Sequence, residues 1–131
     1  MLKKFAIETY ERNEFTNITT QINKFINESK VTNGVCTIFI PHTTAAVTIN
    51  ENADPDVVSD ILKKINSVFP QKDEYQHAEG NSDSHIKSSL FGPSLQLIIN
   101  EGQLLLGTWQ SVYFCEFDGP RKRNYFVKIS N

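Results

Sequence analysis

The stretch Val35-Cys36-Thr37-Ile38-Phe39-Ile40 decides how the rest of this chain is organised. It is almost wholly apolar and rich in β-branched residues, which predicts a strand that is covered on both faces. Asn33-Gly34 before it predicts a tight turn, because both residues tolerate positive φ. Pro41 ends the strand, since proline has no backbone N–H to donate.

Amphipathic helices are predicted on either side of this strand. Apolar residues from Ile18 to Ile26 recur at helical spacing and predict a helix from about Thr16 to near Ser29, with Thr16 or Asn17 as the N-cap. Asp54-Pro55-Asp56 predicts the start of a second helix, whose apolar stripe runs from Val57 to Phe69. A short helix is predicted over 84–91.

Shorter apolar or alternating runs predict the remaining strands. These runs cover 3–10, 45–50, 95–99, 104–106, 111–117 and 124–129. The pattern predicts an α+β fold of about seven or eight mostly meandering strands, forming one domain over 1–131.

Composition excludes several functional classes. The formal net charge of −2 gives no general attraction to nucleic acid or to anionic membranes, and no apolar run is long enough to span a bilayer. The N-terminus lacks the apolar segment of a signal peptide, so we expect a cytoplasmic protein. Cys36 and Cys115 are then expected to be reduced thiols within strands.

The segment His77-Ala78-Glu79-Gly80-Asn81-Ser82-Asp83-Ser84-His85 contains two of the three histidines and no large apolar side chain. Imidazole is a common metal ligand and the side chain that titrates nearest neutrality. We therefore expect this loop to form part of a polar site. The third histidine, in His42-Thr43-Thr44, also borders a polar cluster between two apolar strands.

Three imidazoles with an open fourth position would suit a catalytic zinc site, although surface or capping roles remain open. Glu51 and Glu79 are either solvated surface carboxylates or candidates for a general base or for orienting a metal-ligating histidine. The glycine in Gly107-Thr108-Trp109-Gln110 indicates either the close approach of a ligand or a bulge that places Trp109 in the core. Arg121-Lys122-Arg123 is either a phosphate clamp or a solubilising turn.

Five motifs together resemble the YjbQ-like family, which is also called the secondary thiamine-phosphate synthase family. The resemblance covers roughly residues 5 to 129. The motifs are Pro41 to Ala45, Asn50 to Asn52, His77 with Asn81 and His85, Gly107 to Gln110, and Glu116 to Arg121.

The resemblance implies a β-sandwich of mostly antiparallel strands with two main helices and one short helix, assembled as a homotrimer with sites near subunit boundaries. It also implies that His42, His77 and His85 belong to the family's polar site, with a divalent metal (Zn²⁺, Mg²⁺ or Mn²⁺) as the expected cofactor.

The implied activity is a weak or secondary thiamine-phosphate synthesis from a pyrimidine diphosphate and a thiazole phosphate. The expected ligand is a small anionic or phosphorylated molecule. Departure of pyrophosphate needs a metal or fixed donors, and Thr43, Thr44, Thr108, Arg121 and Arg123 are the candidates for phosphate oxygens. The alternatives are a metal-dependent hydrolase at the same histidines, and a non-catalytic trimer that binds a small anion.

Overall fold

The computed structural model describes residues 1–131 and contains eight strands and three helices. The strands are β1 (Leu2–Glu8), β2 (Glu14–Asn17), β3 (Gly34–Phe39), β4 (Ala45–Glu51), β5 (Ser94–Asn100), β6 (Gln103–Leu104), β7 (Gln110–Glu116) and β8 (Lys122–Ser130). The helices are α1 (Thr19–Ser29), α2 (Pro55–Val68) and α3 (Ser82–Phe91). The α+β prediction is confirmed.

Two antiparallel sheets form the body of the protein. The larger sheet has the strand order β1-β8-β3-β5-β6, and the smaller has the order β2-β7-β4. The predicted meander is wrong, because β5 and β6 are the only hydrogen-bonded neighbours that are also consecutive in sequence. Every pair is antiparallel, and the helices and loops carry the chain between strands that pair at long range.

The main core lies between the two sheets and also encloses α1. Ile22, Phe25 and Ile26 of α1 pack there with side chains from both sheets. A second apolar cluster on the other face of the smaller sheet packs against α2 and α3. The smaller sheet is therefore covered on both faces, whereas the larger sheet is covered on one.

This arrangement corrects the expectation for the 35–40 stretch. Cys36 and Ile38 are fully buried, but Phe39 is 45% exposed, because no other element of the chain covers the outer face of the larger sheet. Gly34 begins β3 instead of forming a positive-φ turn. A side chain there would overlap the carbonyl oxygen of Ser130, so glycine permits the close approach of β8.

Local signals placed the second helix better than the first. Asp54 caps α2 by accepting a hydrogen bond from the Asp56 N–H at 2.9 Å, as predicted. Ile18, and neither Thr16 nor Asn17, holds the N-cap position of α1. Asn17 nevertheless has the predicted capping contact, because its Oδ1 atom accepts from the N–H of Thr19, the first helical residue, at 3.0 Å. No pattern in the sequence predicted β2, a four-residue strand that pairs with β7.

Cys36 and Cys115 are buried free thiols on β3 and β7. Burial raises the pKa of the Cys36 thiol to about 11 and raises that of Cys115 as well. None of the helices has both the length and the apolar character required to cross a membrane.

Candidate functional site

A pair of histidine rings is the centre of the candidate site. His77 lies in the loop before α3 and His85 lies on α3, with ring centroids 5.5 Å apart and ring planes at 89°. Asn81 begins the helix between them, and its carbonyl oxygen accepts from the N–H groups of Ser84 and His85. Helix formation therefore brings the two ends of the predicted polar loop together.

The histidine pair borders a small cavity that we call the polar pocket. Its volume is about 320 Å³, and no apolar side chain lines it. Its lining residues are Thr43, Thr44, His77, Glu79, Asn81, His85, Asp118 and Arg121. Asp118 was not among the predicted site residues, although it lies within the Glu116–Arg121 motif.

The charges of the polar pocket are mixed. Arg121 Nη2 lies 3.1 Å from Asp118 Oδ2, and Arg121 Nε donates to the Asp118 carbonyl oxygen at 2.8 Å. Asn81 Nδ2 also donates to Asp118 Oδ2, at 2.8 Å. Glu79 is exposed and lies 3.8 Å from His77. The two carboxylates outweigh the one arginine, so the fixed charges of the pocket are net negative. The pocket would therefore attract an anion only when the imidazoles carry a proton or when a metal is present.

A buried ion pair supports one wall of this pocket. Arg123 donates through Nε to Glu116 Oε1 at 2.9 Å and through Nη2 to Thr44 Oγ1 at 2.8 Å. Glu116 Oε2 accepts from the Asp118 N–H at 3.0 Å. Burial would raise the pKa of Glu116, but the hydrogen bonds from Arg123, Thr9 and the Asp118 N–H outweigh it and hold the pKa below its ordinary value.

This geometry changes the role of Arg123. It was predicted as a phosphate ligand, but the side chain is 4% exposed and its donors are directed at Glu116 and Thr44. It positions a pocket residue and is not free for a ligand. Arg121 is nearly half exposed and is the one arginine that lines the pocket.

A second buried charge cluster fixes α3 from beneath. Asp83 is fully buried, accepts two hydrogen bonds of 3.0 Å from Arg12, and accepts one of 2.8 Å from Lys87. Lys87 also donates to Asn66 Oδ1 on α2 at 2.6 Å. The i,i+4 spacing of Asp83 and Lys87 on α3 could have revealed this pair in the sequence. Arg12 comes from a distant loop and gave no signal.

His42 does not line the polar pocket that the other two histidines border. Its Nε2 atom lies 3.0 Å from both the N–H nitrogen and the carbonyl oxygen of Asn124. Burial, together with the nearby positive charge of Arg123, lowers the pKa of His42. No group of three or more His, Cys, Asp or Glu side chains is arranged to hold a metal ion. The three-histidine set is therefore not assembled within one chain.

The remaining candidates lie at the opposite end of the smaller sheet. Ala45 pairs with Glu116 near the polar pocket, whereas Glu51 pairs with Gln110 six residues farther along. At about 3.3 Å per residue, the separation is about 20 Å. Trp109 is 62% exposed, so the interpretation that it fills the core is wrong. The distant candidates are Glu51, Gly107, Thr108, Trp109 and Gln110.

Glu51 has a local structural role at that end. Its Oε2 atom accepts from the N–H of Asp54, the N-cap of α2, at 3.3 Å. The Asn52 N–H donates to the Trp109 carbonyl oxygen at 2.9 Å, which joins the two predicted motifs. Gln110 folds back to accept from the Gly107 N–H at 2.8 Å.

Comparison with known proteins gives consistent matches over the full chain. The family model described as UPF0047 protein YjbQ-like matches residues 3–131. A UPF0047 protein of Methanocaldococcus jannaschii is 53% identical, with 98% of this chain and 94% of that protein covered. The UPF0047 protein YugU of Bacillus subtilis is 48% identical, with 98% of each covered.

Solved structures agree with this result. A crystal structure of a YjbQ/UPF0047 family protein from Clostridium acetobutylicum has a TM-score of 0.96 at 52% identity, covering 98% of this chain and 99% of that one. A protein of unknown function from Sulfolobus solfataricus has a TM-score of 0.93 at 31% identity, covering 98% and 95%.

Proposed function

The chain belongs to the YjbQ-like UPF0047 family, and we propose that it binds a small phosphorylated molecule in the polar pocket. We further propose that it transfers the organic group of this molecule from the phosphate to an acceptor. The observation that carries the proposal is the His77–His85 pair at the border of a pocket that also presents Arg121 and two threonines. The chemistry we propose is a thiamine-phosphate synthase-like transfer, as a weak or secondary activity.

In this transfer a carbon–oxygen bond to pyrophosphate breaks while the thiazole nitrogen forms a bond to the same carbon. The departing pyrophosphate gains negative charge, which Arg121 and an imidazolium can stabilise. A protonated histidine can also donate a proton to the leaving oxygen. Thr43, Thr44 and Asn81 line the same pocket and supply polar groups that orient phosphate oxygens.

A divalent metal remains part of the proposal, with Zn²⁺, Mg²⁺ or Mn²⁺ as candidates. One chain supplies two adjacent imidazoles, His77 and His85, whereas a catalytic zinc site has three protein ligands. A metal here would therefore need a further ligand from a substrate phosphate or from another copy of the chain. When bound, it would supply positive charge to a phosphate group.

We also propose a homotrimer with sites near subunit boundaries. Its support is the uncovered face of the larger sheet, where Phe39 is 45% exposed and Ile98 is 58% exposed. Candidate residues about 20 Å from the pocket in one chain could reach a neighbour's pocket in such an assembly. Light scattering at micromolar concentration tests this, and a monomer would contradict it.

The function is tested by incubating purified protein with the two precursors and measuring thiamine phosphate, with and without each metal. We expect His77→Ala and His85→Ala to abolish product. Lys72→Ala, in the exposed loop before the pocket, serves as the control and should keep it. Product that persists in both histidine variants would refute the site.

Two further measurements separate the alternatives. Release of phosphate from a panel of phosphoesters, sensitive to a chelator, would favour a metal-dependent hydrolase. Thermal stabilisation by pyrophosphate without turnover would favour the non-catalytic, anion-binding trimer.

A further inference from the structure

A second cavity lies on the other side of the histidine pair. Its volume is about 460 Å³, within the range typical of small-molecule sites. It shares His77 and His85 with the polar pocket, so the two cavities meet at the imidazoles. The lining residues are Glu74, Tyr75, Gln76, His77, Ser82, His85 and Ile86.

The chemistry of this cavity differs from that of the polar pocket. Tyr75 donates its hydroxyl to the Pro70 carbonyl oxygen at 2.7 Å, which commits its polar end and leaves the ring as lining surface. Ile86, half-buried on α3, adds an aliphatic wall. Glu74 is exposed and is the only lining residue with a permanent charge.

We propose that this cavity, the ring pocket, binds the uncharged aromatic or heteroaromatic part of a ligand whose phosphate occupies the polar pocket. The ligand class is thus a phosphate ester of an aromatic or heteroaromatic alcohol. This ligand class includes both precursors of the proposed transfer and therefore rests on the proposed function, whereas the location of the ring rests on the second cavity alone. The perpendicular imidazoles suit such a ligand, because a ring stacked on one is perpendicular to the other and can present its edge to that ring's face.

Isothermal titration calorimetry with methyl phosphate and phenyl phosphate tests the inference, since the two probes carry the same charged group. We expect phenyl phosphate to bind at least tenfold more tightly. Ile86→Asn should remove most of that preference and leave the affinity for methyl phosphate unchanged. Ile61→Asn, at a half-buried position on α2 outside the cavity, is the matched control and should keep the preference.

A second measurement tests the ring pocket without phosphate. Titration with phenol should shift the backbone amide signals of Tyr75 and Ile86 in ¹H–¹⁵N spectra, and Tyr75→Leu should weaken the response.

The outcomes distinguish the two proposals. Equal affinities for the two esters would overturn the ring pocket and leave the phosphate site standing. Binding of neither ester, with phenol shifts intact, would refute the phosphate half of both proposals and support the ring pocket. Absence of phenol shifts at millimolar concentrations would overturn the ring pocket whatever the esters do.

Discussion

The buried cluster beneath α3 allows a quantitative test of how the fold holds His85 in place. Lys87 is 1% exposed, and its ammonium group donates to Asp83 and Asn66. Burial would raise the pKa of Asp83, but hydrogen bonds from Arg12 and Lys87 outweigh it and keep the pKa below its ordinary value. The carboxylate is therefore charged at neutral pH.

Lys87→Met removes one cation from this cluster. Removing one partner of a buried ion pair typically costs about 3–5 kcal/mol of unfolding free energy. Arg12 still donates two hydrogen bonds to Asp83 in this variant, so we expect the lower end, about 3 kcal/mol. For a domain of this size that loss corresponds to a fall of about 10 °C in melting temperature.

The effect should depend on Asp83. Asp83→Asn leaves the Lys87 ammonium buried without its countercharge, which we also expect to cost about 3 kcal/mol or more. In that background Lys87→Met removes the stranded charge, so the double variant should be no less stable than Asp83→Asn alone. The two substitutions are then strongly non-additive.

Urea unfolding at pH 7, followed by circular dichroism, measures all four proteins. Lys64→Met, at an exposed position on α2, is the control for replacing a lysine by methionine and should change stability little. Additive losses in the double variant, or an equal loss in the control, would refute the reasoning.

Two further predictions concern the wall of the polar pocket. Glu116 has a lowered pKa, so its charge stabilises the fold above its ordinary pKa of 4.5 and this contribution is lost as the pH falls through the folded value. Glu116→Gln leaves Arg123 buried without its partner and should cost about 3 kcal/mol at pH 7, with a flatter acid dependence in urea unfolding; parallel pH curves would contradict this. Gly119→Ala would overlap the Glu11 carbonyl oxygen and lie 2.8 Å from Glu116 Cγ, so we expect a loss of about 3 kcal/mol or more. Gly80→Ala meets open space at φ +76° and should cost about 1–2 kcal/mol, and equal losses at the two glycines would show that crowding is not the cause.

Much of the candidate site was visible in the sequence because its residues come in short polar motifs. Asn81 and His85 lie at the start of α3 and His77 lies in the loop just before it, so their proximity follows from local structure. Thr43 and Thr44 reach them because Ser88 on α3 donates to the Thr43 carbonyl oxygen at 2.5 Å. That contact joins residues 45 positions apart, and no local pattern predicts it.

The sequence by itself determined the α+β class, the helix that starts at Asp54-Pro55, and most strands, because hydrophobic period and capping act within a few residues. Tertiary structure alone decided the strand order, the existence of β2, the burial of Arg123 and the exclusion of His42 from the lining of the polar pocket. These depend on which distant segments pair, as Thr9 does with Glu116 across 107 positions. Such pairings are selected by the packing of the whole chain, so a local pattern cannot specify them.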